Sequence, residues 1–479
     1  MTVERQQGGA YQADLFDEVR MKAPRPEASG DGGTGTGTNE EPQALTALEQ
    51  QRALTQDLME RVASSANLNQ AYKRVKANKG SAGADGMSVR DLRPWLVDHK
   101  DALVAELVRG DYRPQPVLGV SIPKPGGGMR QLGIPNVVDR LVQQAILQVL
   151  QPILDPGFSG SSFGFRPGRS AHGALFQAGA YVAEGYGIVV DLDLEKFFDR
   201  VNHDILMSRL AGRIGDKRLL RMIRRFLQAG MMQGGVCIRR HEGTPQGGPL
   251  SPLLANLLLD DLDRMLEARG HRFCRYADDV NIYVRSQAAG ERVMACVAKF
   301  LQGRLHLQLN QEKSAVAPVW ERKFLGHRLL PDGSLGIAPQ SLRRVRQRVR
   351  EITRRNRGVS LARMVGELNS FLGGWVTYFR HARCQSQLRR LDGWIRRKLR
   401  CVRLKHCKRT KAQADFLRSL GVPEWRAWIL ALSGKGWWRK ALSYQAAEAM
   451  TLAWFEDQGL VPLTNRHRAL QLDGNRRGT

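Results

Sequence analysis

The sequence Tyr276-Ala277-Asp278-Asp279 places two adjacent carboxylates between two short runs of alternating apolar residues. Such alternation is typical of β-strands, so these four residues are predicted to form the tip of a β-hairpin. Adjacent acids at a turn repel each other unless a divalent cation lies between them, and Mg²⁺ prefers carboxylate oxygen. A polar turn with no further role is the alternative interpretation, because a four-residue motif also arises by chance.

A third acid lies upstream, in residues 187–194, where a two-residue period predicts another strand. Val190 and Leu192 share one face, Asp191 and Asp193 share the other, and Asp193 is the acid nearest the strand end. A strand with a terminal acid beside a hairpin with two acids suits two metal ions about 3.5–4 Å apart, placed for in-line attack on phosphorus. A surface strand whose acids keep it in water is the alternative.

Between these two elements lies a glycine- and proline-rich run, residues 242–256, in which an apolar helix is predicted to begin near Ser251. Its paired glycines permit a close backbone approach to a flat ligand, and its prolines fix the bends around them. This run resembles the fourth shared sequence block of reverse transcriptases, with Asp193 in the third block and Asp278 in the fifth. The other blocks resemble, in the expected order, residues 122–130 (first), 162–170 (second), 309–314 (sixth) and 324–326 (seventh).

This set of blocks is similar to that of the multifunctional proteins encoded inside bacterial group II introns, and residues 71–80 and 83–86 resemble their N-terminal extension. The resemblance implies an α/β (α+β) chain with a right-hand polymerase fold, in which fingers and palm with an antiparallel sheet precede a helical thumb or maturase domain. We expect the following organisation: a disordered tail (1–45), the fingers and palm with the extension (46–335), the basic thumb or maturase domain (336–420), and a C-terminal segment for DNA binding or maturase function without an endonuclease domain (421–479).

The implied activity is that of an RNA-directed DNA polymerase that copies intron RNA into cDNA and binds that RNA to assist its splicing and mobility. Two alternatives stay open at this point. One is an RNA-binding splicing maturase whose polymerase fold is a relic, and the other is a reverse transcriptase co-opted for defence or another role outside introns. The three acids argue against a relic, because a pure RNA binder has no need of adjacent carboxylates.

The resemblance also implies roles for individual residues. Asp193 and Asp278 would bridge two Mg²⁺ ions, with Asp279 assisting and the Leu194 carbonyl as a further ligand. The expected nucleotide-binding residues are Lys124 and Arg130 on the triphosphate, Phe198 against a 2′-hydroxyl, Gln246 beside the incoming nucleotide, and Lys313 as a proton donor to pyrophosphate. A place in a helix core is the alternative for Phe198, and a solvated surface role is the alternative for Lys313.

The charge of the chain predicts a nucleic-acid partner. The formal net charge is +28 and the pI is about 10.5, and neutralisation of phosphate dominates affinity for nucleic acid. Residues 341–410 alone hold 21 Lys or Arg against 3 acids. The expected contacts are Arg166 and Arg169 with template backbone, and Arg343, Arg344, Arg346, Arg396, Arg397 and Lys398 with RNA.

Apolar spacing within that basic stretch predicts a helix over residues 361–379 that is interrupted at Gly373-Gly374. Its aromatic residues, and Trp394 further along, are interpreted as core side chains. Residues 138–149 predict an earlier core helix that ends at Pro152.

The expected partners are intron RNA, an RNA template with a DNA primer, target DNA and deoxynucleoside triphosphates. The sequence contains no apolar run of 18 or more residues and no signal peptide, so we expect no membrane partner and a cytoplasmic ribonucleoprotein or nucleoid-associated protein. The oligomeric state stays open, a homodimer included. The cysteines form no Cys-x-x-Cys pair, which disfavours a zinc site around Cys401 and Cys407.

Overall fold

The computed structural model describes residues 55–123, 128–233, 236–238, 242–244 and 247–476. Lys124, Gln246 and the predicted tail at 1–45 lie outside the described residues. The chain divides into two compact units. The first comprises the described residues up to Ala174 together with Val190–Val316, and the second comprises Leu175–Val189 together with the described residues from Ala317 onward.

The described elements are as follows. The helices are α1 (Leu58–Ala63), α2 (Ser65–Asn78), α3 (Leu92–Arg109), α4 (Val137–Leu154), α5 (Ala171–Ala183), α6 (His203–Ala211), α7 (Lys217–Gln228), α8 (Ser251–Ala268), α9 (Gln287–Phe300), α10 (Pro339–Ile352), α11 (Leu361–Tyr378), α12 (Gln385–His406), α13 (Thr410–Ser419), α14 (Glu424–Leu432), α15 (Trp437–Lys440), α16 (Tyr444–Ala449), α17 (Leu452–Asp457) and α18 (Leu463–Arg476). The strands are β1 (Val117–Pro123), β2 (Met129–Ile134), β3 (Ile188–Asp193), β4 (Met231–Gln233), β5 (Val236–Ile238), β6 (Arg272–Tyr276), β7 (Asp279–Val284), β8 (Ala315–Pro318), β9 (His327–Leu329) and β10 (Leu335–Ile337).

The strands form three sheets with the orders β2-β1-β4-β5, β6-β7-β3-β8 and β10-β9. In the first sheet β1 and β2 are antiparallel, with Ile122 opposite Arg130, and β1 runs parallel to β4. In the second, β6 and β7 form an antiparallel hairpin. This mixed α/β architecture, with antiparallel sheets followed by a helical C-terminal region, agrees with the predicted fold class.

The core of the first unit depends on apolar helix faces. In α4 the predicted stripe is buried except for the half-buried Val138, with Leu141, Ala145 and Ile146 fully enclosed, and the helix packs against α2. The prediction that this helix ends at Pro152 is wrong, because α4 continues to Leu154. A proline inside a helix costs about 3 kcal/mol, and the complete burial of Leu154 offsets that cost.

The second unit has its own core, built mainly from α11, α12 and the short helices that follow. Leu368 of α11 and Leu399 of α12 are fully buried, and Trp375, Tyr378 and Trp394 pack against the same cluster. The interpretation of these three aromatics as core side chains is therefore confirmed. Within the described ranges, no helix is long and apolar enough to cross a membrane.

The predicted interruption at Gly373-Gly374 is wrong, because α11 runs through both glycines without a break. A mid-helix glycine costs about 0.5–1 kcal/mol relative to alanine. Leu372 and Val376, which flank the pair, are 3% and 1% exposed, so their burial outweighs the low helix propensity of the glycines.

The two glycines are expected to respond differently to alanine. At Gly374 nothing lies within 4 Å of an added Cβ, whereas at Gly373 the Cβ would lie 2.6 Å from the Arg466 Nη1 atom, which donates to the Asn369 carbonyl at 3.2 Å. Gly374→Ala should raise the free energy of unfolding by about 0.5–1 kcal/mol. Gly373→Ala should gain less or lose stability. Urea unfolding of both variants tests this, and equal shifts would contradict the account.

Candidate active site

The predicted catalytic turn is formed by the hairpin of β6 and β7. Tyr276 pairs with Asp279, which leaves Ala277 and Asp278 as a two-residue loop. Ala277 has φ of +59°, a left-handed conformation that is uncommon for a residue with a Cβ and costs of order 1–3 kcal/mol. The hairpin prediction is confirmed, and the turn is held in a conformation that the surrounding structure must stabilise.

A buried arginine supplies that support. Arg275 precedes the motif and is fully enclosed, and its guanidinium forms an ion pair with the equally buried Asp263 of α8, with Nε 2.8 Å from Oδ1. Arg275 Nη1 also donates to Asn256 Oδ1 at 2.8 Å and to the Ala277 carbonyl at 3.1 Å. Burial raises the pKa of the Asp263 carboxyl, and the charge of Arg275 acts in the opposite direction. The guanidinium therefore connects α8 directly to the strained turn.

Residues of the second sequence block pack against the same hairpin. Arg275 N donates to the Ser161 carbonyl at 2.9 Å, and Phe163 N donates to the Arg275 carbonyl at 2.8 Å. Gly164 follows, and its carbonyl accepts from Asn256 Nδ2 at 2.8 Å. A Cβ at Gly164 would lie 2.3 Å from the Ala277 amide nitrogen, so only glycine permits this approach.

Asp193 occupies the predicted position at the end of β3, and residues of the sixth block hold it there. Asp193 N donates to Ser314 Oγ at 3.0 Å, and Asn310 N donates to the Asp193 carbonyl at 2.8 Å. Lys313 Nζ lies 3.5 Å from Asp193 Oδ1. Leu194, the next residue, forms an antiparallel bridge with Leu309. The third and sixth blocks thus meet around one carboxylate.

The acids of the strand and of the turn interact electrostatically. Burial raises the pKa of Asp278, while its own backbone amide and the charge of Arg130 lower it and the charge of Asp193 raises it further. Two such carboxylates supply the hard oxygen donors that a divalent cation prefers. Among the described residues, no group of three or more His, Cys, Asp or Glu is arranged as a metal site, so the ligand roles of Asp193, Leu194, Asp278 and Asp279 stay predictions.

The third and fourth blocks are joined through backbone contacts at Phe198. Thr244 N donates to the Phe198 carbonyl at 2.7 Å, and Gly243 N donates to the Val201 carbonyl at 2.8 Å. Gly243 has φ of +85°, and a Cβ there would lie 2.9 Å from the Phe198 carbonyl oxygen. The ring of Phe198 is half-buried and meets Phe197 edge to face, with the ring centroids 5.1 Å apart.

Arg166 and Arg130 have different environments. Arg130 is exposed on β2, and its charge acts on Asp278. Arg166 is 9% exposed, and its Nε donates to Asp155 Oδ1 at 2.8 Å while Nη1 donates to the Ser162 carbonyl at 3.0 Å. The expected contact between Arg166 and template backbone is therefore corrected, because this guanidinium already holds the second block together. Arg169 is exposed and lies 5.3 Å from the Phe163 ring centroid.

In the second unit the predicted RNA contacts lie on two helices. Arg343, Arg344 and Arg346 are exposed on α10. On α12, the side chains of Arg396, Arg397 and Lys398 are half-buried, and Arg397 Nη2 donates to the Trp438 carbonyl at 2.9 Å.

Sequence reasoning missed Arg275, Asp263, Asn256 and Gly164 as supports of the turn. A signal was present in α8, where Asn256, Asp260 and Asp263 are spaced by four and three residues in a leucine-rich helix. Residues with that spacing share one helix face, and all three are buried. A polar stripe inside an apolar helix indicates buried polar partners elsewhere in the chain.

The structure therefore brings together an acid at the end of β3, a turn that carries Asp278, and a cation on β2 whose charge acts on Asp278. The family model "Reverse transcriptase (RNA-dependent DNA polymerase)" matches residues 122–329. The model "Group II intron, maturase-specific domain" matches residues 342–421.

Parts of this chain are similar to known proteins. Protein YkfC of Escherichia coli (strain K12) is 33% identical over 311 residues, which cover 55% of this chain and 80% of that protein. Group II intron-encoded protein LtrA of Lactococcus lactis subsp. cremoris is 35% identical over 210 residues, which cover 41% of this chain and 33% of LtrA. A chain of the partial Cas6-RT-Cas1–Cas2 complex is similar at 28% identity and a TM-score of 0.35, covering 52% of this chain and 43% of that chain.

The chain belongs to the reverse transcriptases, the RNA-dependent DNA polymerases, and its second matched domain places it among the intron-encoded reverse transcriptase/maturases. The predicted resemblance is confirmed. This family generally uses divalent metal ions, and the two matched domains act on RNA. The match spans only a third of LtrA.

Gly164→Ala should disturb the catalytic turn without unfolding the protein. The new Cβ would force the Ala277 amide to move, and a displacement of about 1 Å at a reacting centre can cost 100-fold in rate. Single-turnover primer extension on an RNA template measures the effect. Gly160→Ala is the matched control in the same segment, because nothing lies within 4 Å of its added Cβ. Equal rates for the two variants would contradict the proposed close approach.

Proposed function

We propose that this protein copies intron RNA into cDNA by two-metal phosphoryl transfer, and that it binds the same RNA to assist splicing and mobility. The observation that carries the catalytic part is that β3, which ends at Asp193, is the hydrogen-bonded neighbour of β7, which follows directly after Asp278 in the turn, so the two acids belong to adjacent strands of one sheet. A splicing cofactor with a relic fold has no reason to keep this group of charges together.

Asp193 and Asp278 would hold two Mg²⁺ ions, with Asp279 and the Leu194 carbonyl as further ligands. When bound, the metal ions would lower the pKa of the primer 3′-hydroxyl and stabilise the pyrophosphate leaving group. Burial of Asp278 strengthens its interaction with a cation, because the local dielectric constant is lower than that of water.

The remaining polar residues have separate roles. Lys124 and Arg130 would bind the triphosphate of the incoming deoxynucleotide, where cations offset charge that develops in the transition state. Gln246 would lie against the nucleotide. Lys313 would donate a proton to pyrophosphate, and its present position 3.5 Å from Asp193 supports this.

Phe198 would exclude a 2′-hydroxyl and so select deoxynucleotides. Its backbone is fixed by Thr244 and its ring by Phe197, which gives the side chain the rigidity that discrimination by shape requires.

RNA binding is assigned mainly to the second unit, through Arg343, Arg344 and Arg346 on α10 and the basic face of α12. Arg169 remains a candidate for template contact in the first unit. The other proposed partners are a DNA primer, target DNA and deoxynucleoside triphosphates. With such substrates, the protein would act in the cytoplasm as a ribonucleoprotein or a nucleoid-associated protein.

Asp278→Asn should abolish DNA synthesis while leaving RNA binding intact, because the charge that holds the metal ions is lost and the basic surfaces are unchanged. Primer extension with Mg²⁺ and deoxynucleotides measures the first property, and a filter-binding assay with intron RNA measures the second. We expect a loss of about 100- to 1,000-fold in rate, on the scale of about 2.7–4 kcal/mol for a group that stabilises transition-state charge.

The control is Asp204→Asn, which removes the same charge from an exposed ion pair with Arg224. If Asp278→Asn is as active in primer extension as this control, Asp278 has no catalytic role. Loss of RNA binding by a folded Asp278→Asn protein would contradict the separation of the two functions.

Phe198→Val should raise incorporation of ribonucleotides relative to deoxynucleotides, since the smaller side chain leaves room for a 2′-hydroxyl. Discrimination by shape of this kind is worth roughly 1–3 kcal/mol, or about 10- to 200-fold. The ratio of kcat/KM for the two nucleotides is the measurement, with Phe226→Leu as the control, since Phe226 is a buried ring of α7 that packs against Tyr112. Unchanged sugar selectivity would return Phe198 to a purely structural role.

A further inference from the structure

A cationic cavity lies within the second unit, between the C-terminal part of α10 with the residues that follow it and the middle of α12. Its volume is about 360 Å³, within the range of roughly 300–1,000 Å³ that is typical of small-ligand pockets. The lining residues are Arg350, Thr353, Arg354, Arg355, Lys398, Cys401 and Trp438.

Among the described residues, the lining of this cavity contains four cations, Arg350, Arg354, Arg355 and Lys398, and no Asp or Glu. Burial lowers the pKa of Lys398, Cys401 acts in the opposite direction, and the charges of Arg350 and Arg355 lower the pKa further. In the described part of the chain, the nearby acids are engaged elsewhere, since Glu351 pairs with Arg348 at 2.9 Å and Glu367 pairs with Arg357 at 2.8 Å. Like charges held together are stabilised by a bound anion.

An aromatic surface adjoins these charges. The Arg397 guanidinium lies 3.8 Å from the centroid of the Trp438 ring and donates to the Trp438 carbonyl, so Arg397 contacts both the indole and the backbone of this residue. Lys398 Nζ lies 5.1 Å from the same ring and 5.7 Å from the ring of Trp394. A group of cations beside an indole has two features that recognise a nucleotide. The cations can bind its phosphate, and the aromatic ring can stack on its base.

We propose that this cavity binds one unstacked nucleotide of a single-stranded RNA segment, with its phosphate among Arg350, Arg354 and Arg355 and its base against Trp438. The inference rests on the proposed RNA-binding role of the second unit and names the RNA feature that this unit recognises. A loop or a bulge supplies such a nucleotide. A regular duplex does not, because its bases are stacked and the cavity admits only one residue.

The test compares a short single-stranded oligoribonucleotide with a blunt RNA duplex of the same length, both bound to the full chain. Stacking of one base on an aromatic side chain is worth roughly 5- to 150-fold in affinity. Trp438→Ala should therefore weaken single-strand binding by that factor and change duplex binding less than twofold. Trp438→Phe should retain most of the affinity, and it guards against a folding defect in the alanine variant. Trp425→Ala is the control, since Trp425 is 65% exposed on α14.

The charges are tested by salt dependence. Arg354→Gln with Arg355→Gln should reduce the slope of log affinity against log salt concentration by about 0.7 for each phosphate contact with the single strand. Arg389→Gln with Arg390→Gln removes the same charge from exposed positions of α12 and should leave the slope closer to that of wild type. Equal salt slopes for the two double variants would overturn the proposal, and so would equal losses of single-strand and duplex affinity after Trp438→Ala. Either result would indicate that the RNA is bound by the overall positive charge of the surface and not by this cavity.

The same binding experiment separates this proposal from the proposed polymerase activity. Binding to the cavity needs no catalysis, so the Trp438 effect should persist in Asp278→Asn. If Trp438→Ala weakens single-strand binding as expected but the wild-type protein extends no primer, the polymerase assignment is overturned and the proposed cavity stands. If the wild-type protein extends primers but Trp438→Ala leaves single-strand binding unchanged, the proposed cavity is overturned and the polymerase assignment stands.

Discussion

The buried ion pair between Arg275 and Asp263 is the interaction on which the catalytic centre depends. Removing water from two charges is expensive, and loss of one partner of such a pair typically costs about 3–5 kcal/mol. Here both side chains are fully enclosed. The remaining guanidinium hydrogens reach Asn256 and the Ala277 carbonyl, so the pair is joined to a left-handed turn residue that would not hold its conformation alone.

The sequence blocks that this family shares make contacts around the turn that this ion pair supports. The second block supplies Gly164, whose missing side chain lets its backbone meet the turn. The sixth block fixes Asp193 through Asn310 and Ser314. The fourth block fixes the backbone of Phe198. Each block is distant from the others along the chain, and each provides a backbone contact that positions a proposed catalytic or selecting side chain.

Much of this arrangement follows from local patterns, and the rest depends on tertiary contacts. The two-residue period at residues 272–284 was enough to predict the hairpin, and the same period placed Asp193 at a strand end. Alternation does not show which arginine of a strand will be buried, because the partners of Arg275 come from a separate helix. The partners of Arg166 lie in the preceding segment, at Asp155, Ser159 and Ser162, and charge alone does not indicate that they enclose this guanidinium. At Gly373 and Pro152 the local pattern predicts a helix break that does not occur, because packing outweighs the low helix propensity of these residues.

A double replacement of the ion pair, Arg275→Met with Asp263→Leu, tests the central claim most directly. Apolar side chains of similar size often replace a buried ion pair with little loss of stability, but they provide no donor for the Ala277 carbonyl. Thermal unfolding and single-turnover primer extension should be measured on the same preparation. The account predicts a melting temperature close to that of wild type, unchanged RNA binding and a rate about 100-fold lower. A folded double variant with the wild-type rate would show that the turn does not depend on this guanidinium.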